Sequence, residues 1–123
     1  MKNNALEERL IDFSVLIIDL VNEISKTKAG YHLAGQIIRS GTSVSLNYGE
    51  ARGAESKKDF IHKMRIILKE LRETFINLKI IHRSNLYKTE QKMIHAEQES
   101  NELISIFVKS IKTAGQNLNK SDV

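Results

Sequence analysis

The 123-residue chain has no cysteine and no proline. Lacking cysteine, it has no disulfide framework, no thiolate metal site and no cysteine nucleophile. Lacking proline, it has no obligatory helix breaker, so long uninterrupted helices are expected. A run of about 20 apolar residues, which a membrane-crossing helix needs, is also missing. The most apolar early stretch, Phe13 to Val21, is broken by Asp19 and follows Glu7, Glu8 and Asp12. A secretory signal has basic residues before its apolar run and small residues after it, so a cytoplasmic protein without membrane contact is expected. What remains is an ordinary balance: 41% hydrophobic and 28% charged residues, with 19 Lys plus Arg against 15 Asp plus Glu for a formal charge of +4. That balance argues against a disordered or membrane protein and fits one domain spanning residues 1–123, with the polar tail Asn119 to Val123 expected to fray.

Apolar periodicity divides the chain into four helical segments, expected at about 5–27, 31–52, 57–84 and 90–117. In the first, Leu6, Leu10, Phe13, Ile17, Leu20 and Ile24 step by threes and fours, with Asn4 placed to cap and Glu7 three residues on. Leu16, Ile18 and Val21 widen that face. The second starts after a Lys28-Ala29-Gly30 turn and carries small residues along Ala34, Ile37, Gly41, Val44, Tyr48 and Ala51, with Gly35 and Gly49 beside them. Each glycine inside a helix costs up to about 1 kcal/mol against alanine, and close approach of a neighbouring helix would offset it. Gly53 is placed as the C-terminal cap. The third opens on Ser56-Lys57-Lys58-Asp59, a capping box with Ser56 as cap and Asp59 at the third helical position. Phe60, Met64, Ile67, Leu71, Thr74, Leu78 and Ile81 form its core line, and Ile94, Ile104, Phe107, Ile111, Ala114 and Leu118 that of the fourth. Four such helices joined by short turns predict an all-α, antiparallel up-down four-helix bundle.

Two polar stripes stand out. Gln36, Ser40, Ser43, Asn47 and Glu50 share one face of the second helix. Short hydrogen-bonding groups suit a packed polar helix or subunit interface better than a solvated face, with Asn47 and Glu50 bonded near the turn before Ser56. The second stripe is basic: Lys58, His62, Arg65, Lys69, Arg72, Lys79 and Arg83 follow one line of the third helix, interrupted only by Ile76. At 1.5 Å per residue it runs about 37 Å. Between Arg52 and Lys92 there are 11 basic and 5 acidic residues, so positive charge concentrates there. Such an array suits a phosphate backbone, bound by charge neutralisation and counterion release. A solvated face partly compensated by Asp59, Glu70 and Glu73 is the competing reading. No Glu-x-x-His pair, G-x-S-x-G, P-loop or H-E-x-x-H occurs, so no metal, cofactor or catalytic residue is expected and the chain reads as a non-enzyme.

The stretch Asn47-Tyr48-Gly49-Glu50-Ala51-Arg52-Gly53-Ala54-Glu55-Ser56-Lys57-Lys58-Asp59-Phe60-Ile61-His62-Lys63-Met64, then Leu68-Lys69-Glu70-Leu71-Arg72-Glu73-Thr74, resembles a known bacterial family. Gln36-Ile37-Ile38-Arg39-Ser40, Ser43 and Asn47 resemble its second helix. It is the four-helix bundle family first found encoded by intervening sequences in 23S rRNA genes, whose members are often called ribosomal proteins. At Phe75-Ile76-Asn77 many relatives carry an aromatic-Trp-Leu sequence instead. The resemblance implies a bundle protomer assembled as a homopentameric ring. It extends to the accessory protein of diversity-generating retroelements, a basic pentamer that partners a reverse transcriptase and nucleic acid. Joined to the basic stripe, it leads to an oligomeric nucleic-acid-binding module, with structured RNA as the favoured ligand. The alternative is an adaptor that binds a protein partner such as a reverse transcriptase. A charge of +4 is small for a ribosomal protein, which argues against a constitutive place in the ribosome.

Overall fold

Helix α1 spans Ala5–Val21, α2 Lys28–Arg52, α3 Lys57–Arg83 and α4 Glu90–Asp122 in the computed structural model. It describes residues 5–122, with side chains described from 5 to 116. The expected cap Asn4 and core residue Leu118 therefore lie outside the described side chains. Among the described residues there is no strand, and no helix is long and apolar enough to cross a membrane.

Each helix packs on the next in sequence, and α4 closes the bundle on α1 through the thinnest seam. Cross-helix pairs give the direction of the chains. Glu50 pairs with Lys63 and Arg39 with Glu73, while Glu7 pairs with Arg52 and Ser14 with Gly41. As one partner's number falls the other's rises, so α1, α2 and α3 alternate in direction. The core holds Leu10, Phe13, Ile17, Ile37, Val44, Ile67, Leu71, Leu78, Leu103 and Phe107, all almost fully buried. Each such side chain contributes about 1.5–3 kcal/mol by leaving water. In α4 the buried line runs through Met93, Ala96, Ser100, Leu103 and Phe107, and Ile94, expected inside, is exposed.

Helix ends follow local chemistry. Ser56 accepts the Asp59 amide at 3.0 Å, as its capping box requires. Helix α1 stops at Val21 rather than near Thr27. The Ser25 amide donates to the Leu86 carbonyl at 2.8 Å, which ties this connection to the α3–α4 connection. Tyr87 reinforces that tie, its hydroxyl donating to Glu23 at 2.6 Å. Helix α2 then starts at Lys28, not Tyr31, because extended Thr27 accepts the Gly30 amide through its side chain at 3.0 Å. A Cβ at Gly30 would fall 1.9 Å from the Ser25 carbonyl oxygen, so only glycine fits this tight entry. Helix α4 runs to Asp122, past the expected end at 117.

The three interior glycines of α2 differ. At Gly41 an added Cβ would meet Ile17 Cγ2 at 2.9 Å, so α1 seats a buried side chain there. At Gly35 and Gly49 it would meet nothing within 4 Å, and the expected close approach is absent at both. They lie on an open face with Tyr31, Ile38 and Leu46, the last 71% exposed. Ser14 faces Gly41 and Ser45 across the α1–α2 seam. The residues one step on, Val15, Thr42 and Leu46, therefore turn to the same side of this antiparallel pair. Ile11, Val15 and Ile18 of α1 thus join Ile38 and Leu46 of α2 in one exposed apolar surface.

Gly41→Leu should destabilise the protein by about 1–3 kcal/mol through overpacking against Ile17. Gly35→Leu should cost less, because no atom of the protomer stands in its way. Urea denaturation of both variants at matched protein concentration checks the order.

Candidate nucleic-acid interface

The core side of α3 buries Ile61, Met64, Ile67, Leu71, Thr74, Leu78 and Ile81, which directs the opposite side to solvent. There Lys58, His62, Arg65, Lys69, Arg72 and Arg83 are exposed. Ile76, at 54% exposure, interrupts the row as expected. Lys79 is half-buried, and its ammonium sits 4.5 Å from the centroid of the Phe75 ring.

Two carboxylates that could have neutralised this row, Glu70 and Glu73, are paired elsewhere. Arg39 of α2 pairs with Glu73 and, at 3.2 Å, with Glu70. Those two carboxylates, Glu73 first, hold the Arg39 guanidinium above its ordinary pKa. A Lys69–Glu73 pair one turn apart is therefore not formed. Glu50 binds Lys63 Nζ at 2.9 Å, and that hydrogen bond raises the lysine's pKa. Among the described residues Lys58, His62, Arg65, Lys69, Arg72 and Arg83 have no ion-pair partner. The charges of the row are available to a ligand, and the compensation expected from Glu70 and Glu73 goes to α2 instead.

Two residues of the polar stripe of α2 bond across to α3, Ser40 at its centre and Glu50 near its end. Ser40 is fully buried, and Thr74 Oγ1 lies 2.8 Å from its hydroxyl and 2.8 Å from the Glu70 carbonyl. Ser43 bonds the Ser40 carbonyl at 3.0 Å. Gln36 and Glu50 are exposed, and half-buried Asn47 has no side-chain hydrogen bond among the described residues. Glu50, bonded to Lys63 of α3, is held near the turn before Ser56 as expected, whereas Asn47 is not and Ser43 bonds only within its own helix.

One cluster was not legible from spacing. His82 of α3 sits between two carboxylates of α4, with Nδ1 2.9 Å from Glu97 and Nε2 3.0 Å from Glu90. Both ring nitrogens face acceptors, so the doubly protonated imidazolium suits the site best. Glu97 above all, then Glu90, raises the His82 pKa above its usual value. The only sequence signal was a histidine near the end of one helix and acids in the first turns of the next. This clamp borders an open groove of about 650 Å³ between α3 and α4, lined by Phe75, Lys79, Arg83, Asn85, Gln98 and Asn101. No group of three or more His, Asp or Glu side chains suited to a metal ion occurs among the described residues.

Comparison with known proteins bears on what such a surface belongs to. Residues 2–109 match the family described as 23S rRNA-intervening sequence protein. Among solved structures, the chain is similar to a protein of unknown function from the S23 ribosomal protein family of Bacteroides thetaiotaomicron VPI-5482. The two are 33% identical, with a TM-score of 0.80 over 91% of this chain and 99% of that one. Among curated proteins nothing matches.

The His82 clamp has a defined pH signature. Unfolded, the ring titrates near 6.5; folded, it titrates higher. Its contribution to stability is full below about pH 6.5 and is lost as pH rises through the folded value. The melting-temperature difference between the parent and His82→Gln should therefore be larger near pH 6 than near pH 8.5. Thermal scans at the two pH values check it.

Proposed function

The chain belongs to the 23S rRNA-intervening sequence protein family, and from that premise we propose that it is a non-catalytic, self-associating protein that binds structured RNA along the basic row of α3. The observation that carries this reading is the absence of ion-pair partners along that row. A surface helix normally sets opposite charges one turn apart. Here Arg39 draws away Glu70 and Glu73, and the field of at least six cations stays open over about 37 Å. Such a row neutralises phosphates and makes binding steeply salt-dependent. Contacts of this kind position a nucleic acid without reading its sequence.

Self-association draws support from the apolar surface of Ile11, Val15, Ile18, Ile38 and Leu46, on the α1–α2 side of the bundle. Contiguous exposed apolar area of this kind marks interaction surfaces. A second copy of the chain is the occupant we propose, and the ring of five implied by the resemblance would repeat the basic row around the assembly. The protein would then act in the cytoplasm as a multivalent binder, where several weak phosphate-binding faces add.

The decisive comparison sets a Lys58→Gln, Arg65→Gln, Arg72→Gln triple variant against a control with Lys26, Lys28 and Lys112 changed to Gln. The triple variant should stay folded and lose affinity for every RNA sequence tested. Its slope of log affinity against log salt should fall by about one unit per lost contact. Equal RNA binding by triple variant and control overturns the reading and leaves the protein-partner adaptor in its place.

For assembly, Leu46→Glu should lower the mass in solution, read by light scattering, with helix content unchanged. A parent that is monomeric at tens of micromolar overturns self-association.

A further inference from the structure

The α3–α4 groove adds a second kind of contact to the row. We propose that it seats one unpaired nucleotide of a strand lying along α3, so that the protein prefers single-stranded or looped nucleic acid to duplex. This rests on the nucleic-acid reading above and goes beyond it by naming the ligand's state.

Position is the first argument. Lys79 and Arg83, the last two cations of the row, line the groove, so a backbone following the row arrives at its mouth. Chemistry is the second. Phe75 is half-buried in the groove wall, and the flexible Lys79 ammonium lies 4.5 Å from the centre of its ring. A base can take the ring face while Lys79 swings to a phosphate, exchanging one cation–π contact for a stack and an ion pair. Across the groove, Gln98 and Asn101 lie one turn apart on α4, with Asn85 at the α3–α4 connection. Among the described residues none of these three amides has a side-chain hydrogen-bond partner. Each offers both a donor and an acceptor, as the edge of an unpaired base requires.

Electrostatics permits the strand to enter. Glu90 and Glu97 would repel a phosphate, but both face the His82 ring at 2.9–3.0 Å. With that ring protonated, Lys79 and Arg83 leave the groove with a net positive charge. Volume fits too, because about 650 Å³ lies within the usual range for small-molecule sites. A paired base in an A-form duplex cannot stack on Phe75, since its faces are covered by the neighbouring bases and its Watson–Crick edge by its partner.

Fluorescence anisotropy with a labelled single-stranded oligonucleotide (RNA and DNA versions), its duplex, a mononucleotide and polyphosphate tests the proposal. The parent should bind single strands about tenfold more tightly than the duplex or polyphosphate. Phe75→Leu should remove about tenfold from single-strand binding, the range of one lost base stack, and leave duplex binding unchanged. Should Phe75→Leu fold poorly, the exposed double change Gln98→Ala with Asn101→Ala tests the same groove and should lower the single-strand preference. Equal binding of single strand and duplex, unmoved by either variant, overturns the nucleotide seat while the basic row stands. Tight binding of the free mononucleotide without strand preference overturns the strand-bound seat. No binding of any nucleic acid by the parent overturns both readings, and the Lys58, Arg65 and Arg72 triple variant separates the row's contribution from the groove's.

Discussion

Three consecutive residues at the middle of α2 set the spacing of the bundle. Gly41 receives Ile17 of α1, with no space for even one added carbon. Ser40, fully buried, meets Thr74 of α3. Arg39, beside them, reaches Glu70 and Glu73 on the flank of that same α3 stretch. A larger residue at position 40 or 41 would push a neighbour away, because protein interiors are close-packed and tolerate little added volume. Small size at this one level lets α2 lie against two helices at once.

The electrostatics of the outer face follow from that spacing. With α2 and α3 this close, Arg39 spans the seam and takes Glu70 and Glu73, two of the three carboxylates of α3. Exposed ion pairs contribute little to stability, typically 0–1 kcal/mol. Their consequence here is directional: Glu70 and Glu73 are drawn toward α2, and among the described residues the row from Lys58 to Arg83 forms no ion pair. The thin α1–α4 seam shows the reverse arrangement. Arg9 forks onto Glu99 with two 2.8 Å bonds and reaches Glu102 at 2.7 Å. Charge there is spent within the protomer, and Arg9 holds the Glu99 carboxyl below its usual pKa. One face of the bundle is internally neutralised and another is not. That asymmetry is what the proposed nucleic-acid reading of α3 rests on.

Much of this was legible in the residues. Three- and four-residue apolar steps determined four helices and most of the core, since burial of one helical face requires that period. The Ser56 capping box determined the start of α3, because its interaction is local to four residues. The basic row was legible as a line for the same reason, a single helix having a known period. Helix ends at Val21 and Lys28 were not, since a distant carbonyl, that of Leu86, and the Thr27 cap take the chain out of register with its own apolar pattern. Spacing alone also grouped Asn47 with Ser40 and Glu50, which bond across to α3, because periodicity says which residues share a face but not which of them a neighbour reaches.

By itself, then, the sequence determined the helices, their inner and outer faces and the family to which the chain belongs. Only the tertiary structure decided which charges remain unpaired, because Arg39 and Glu73 lie 34 residues apart and meet only across a seam. It alone showed that Ile17 fills the space at Gly41 while no side chain of the protomer closes on Gly35 or Gly49, because the close approach expected at all three depends on where a second helix lies. It alone assembled His82, Glu90 and Glu97 and the groove beside them, because the turn after Arg83 folds α4 back along α3. Interactions within a turn or two of one helix obey a fixed period and can be read from a string. Contacts between helices depend on their separation and relative rotation, which are set only when all four pack together.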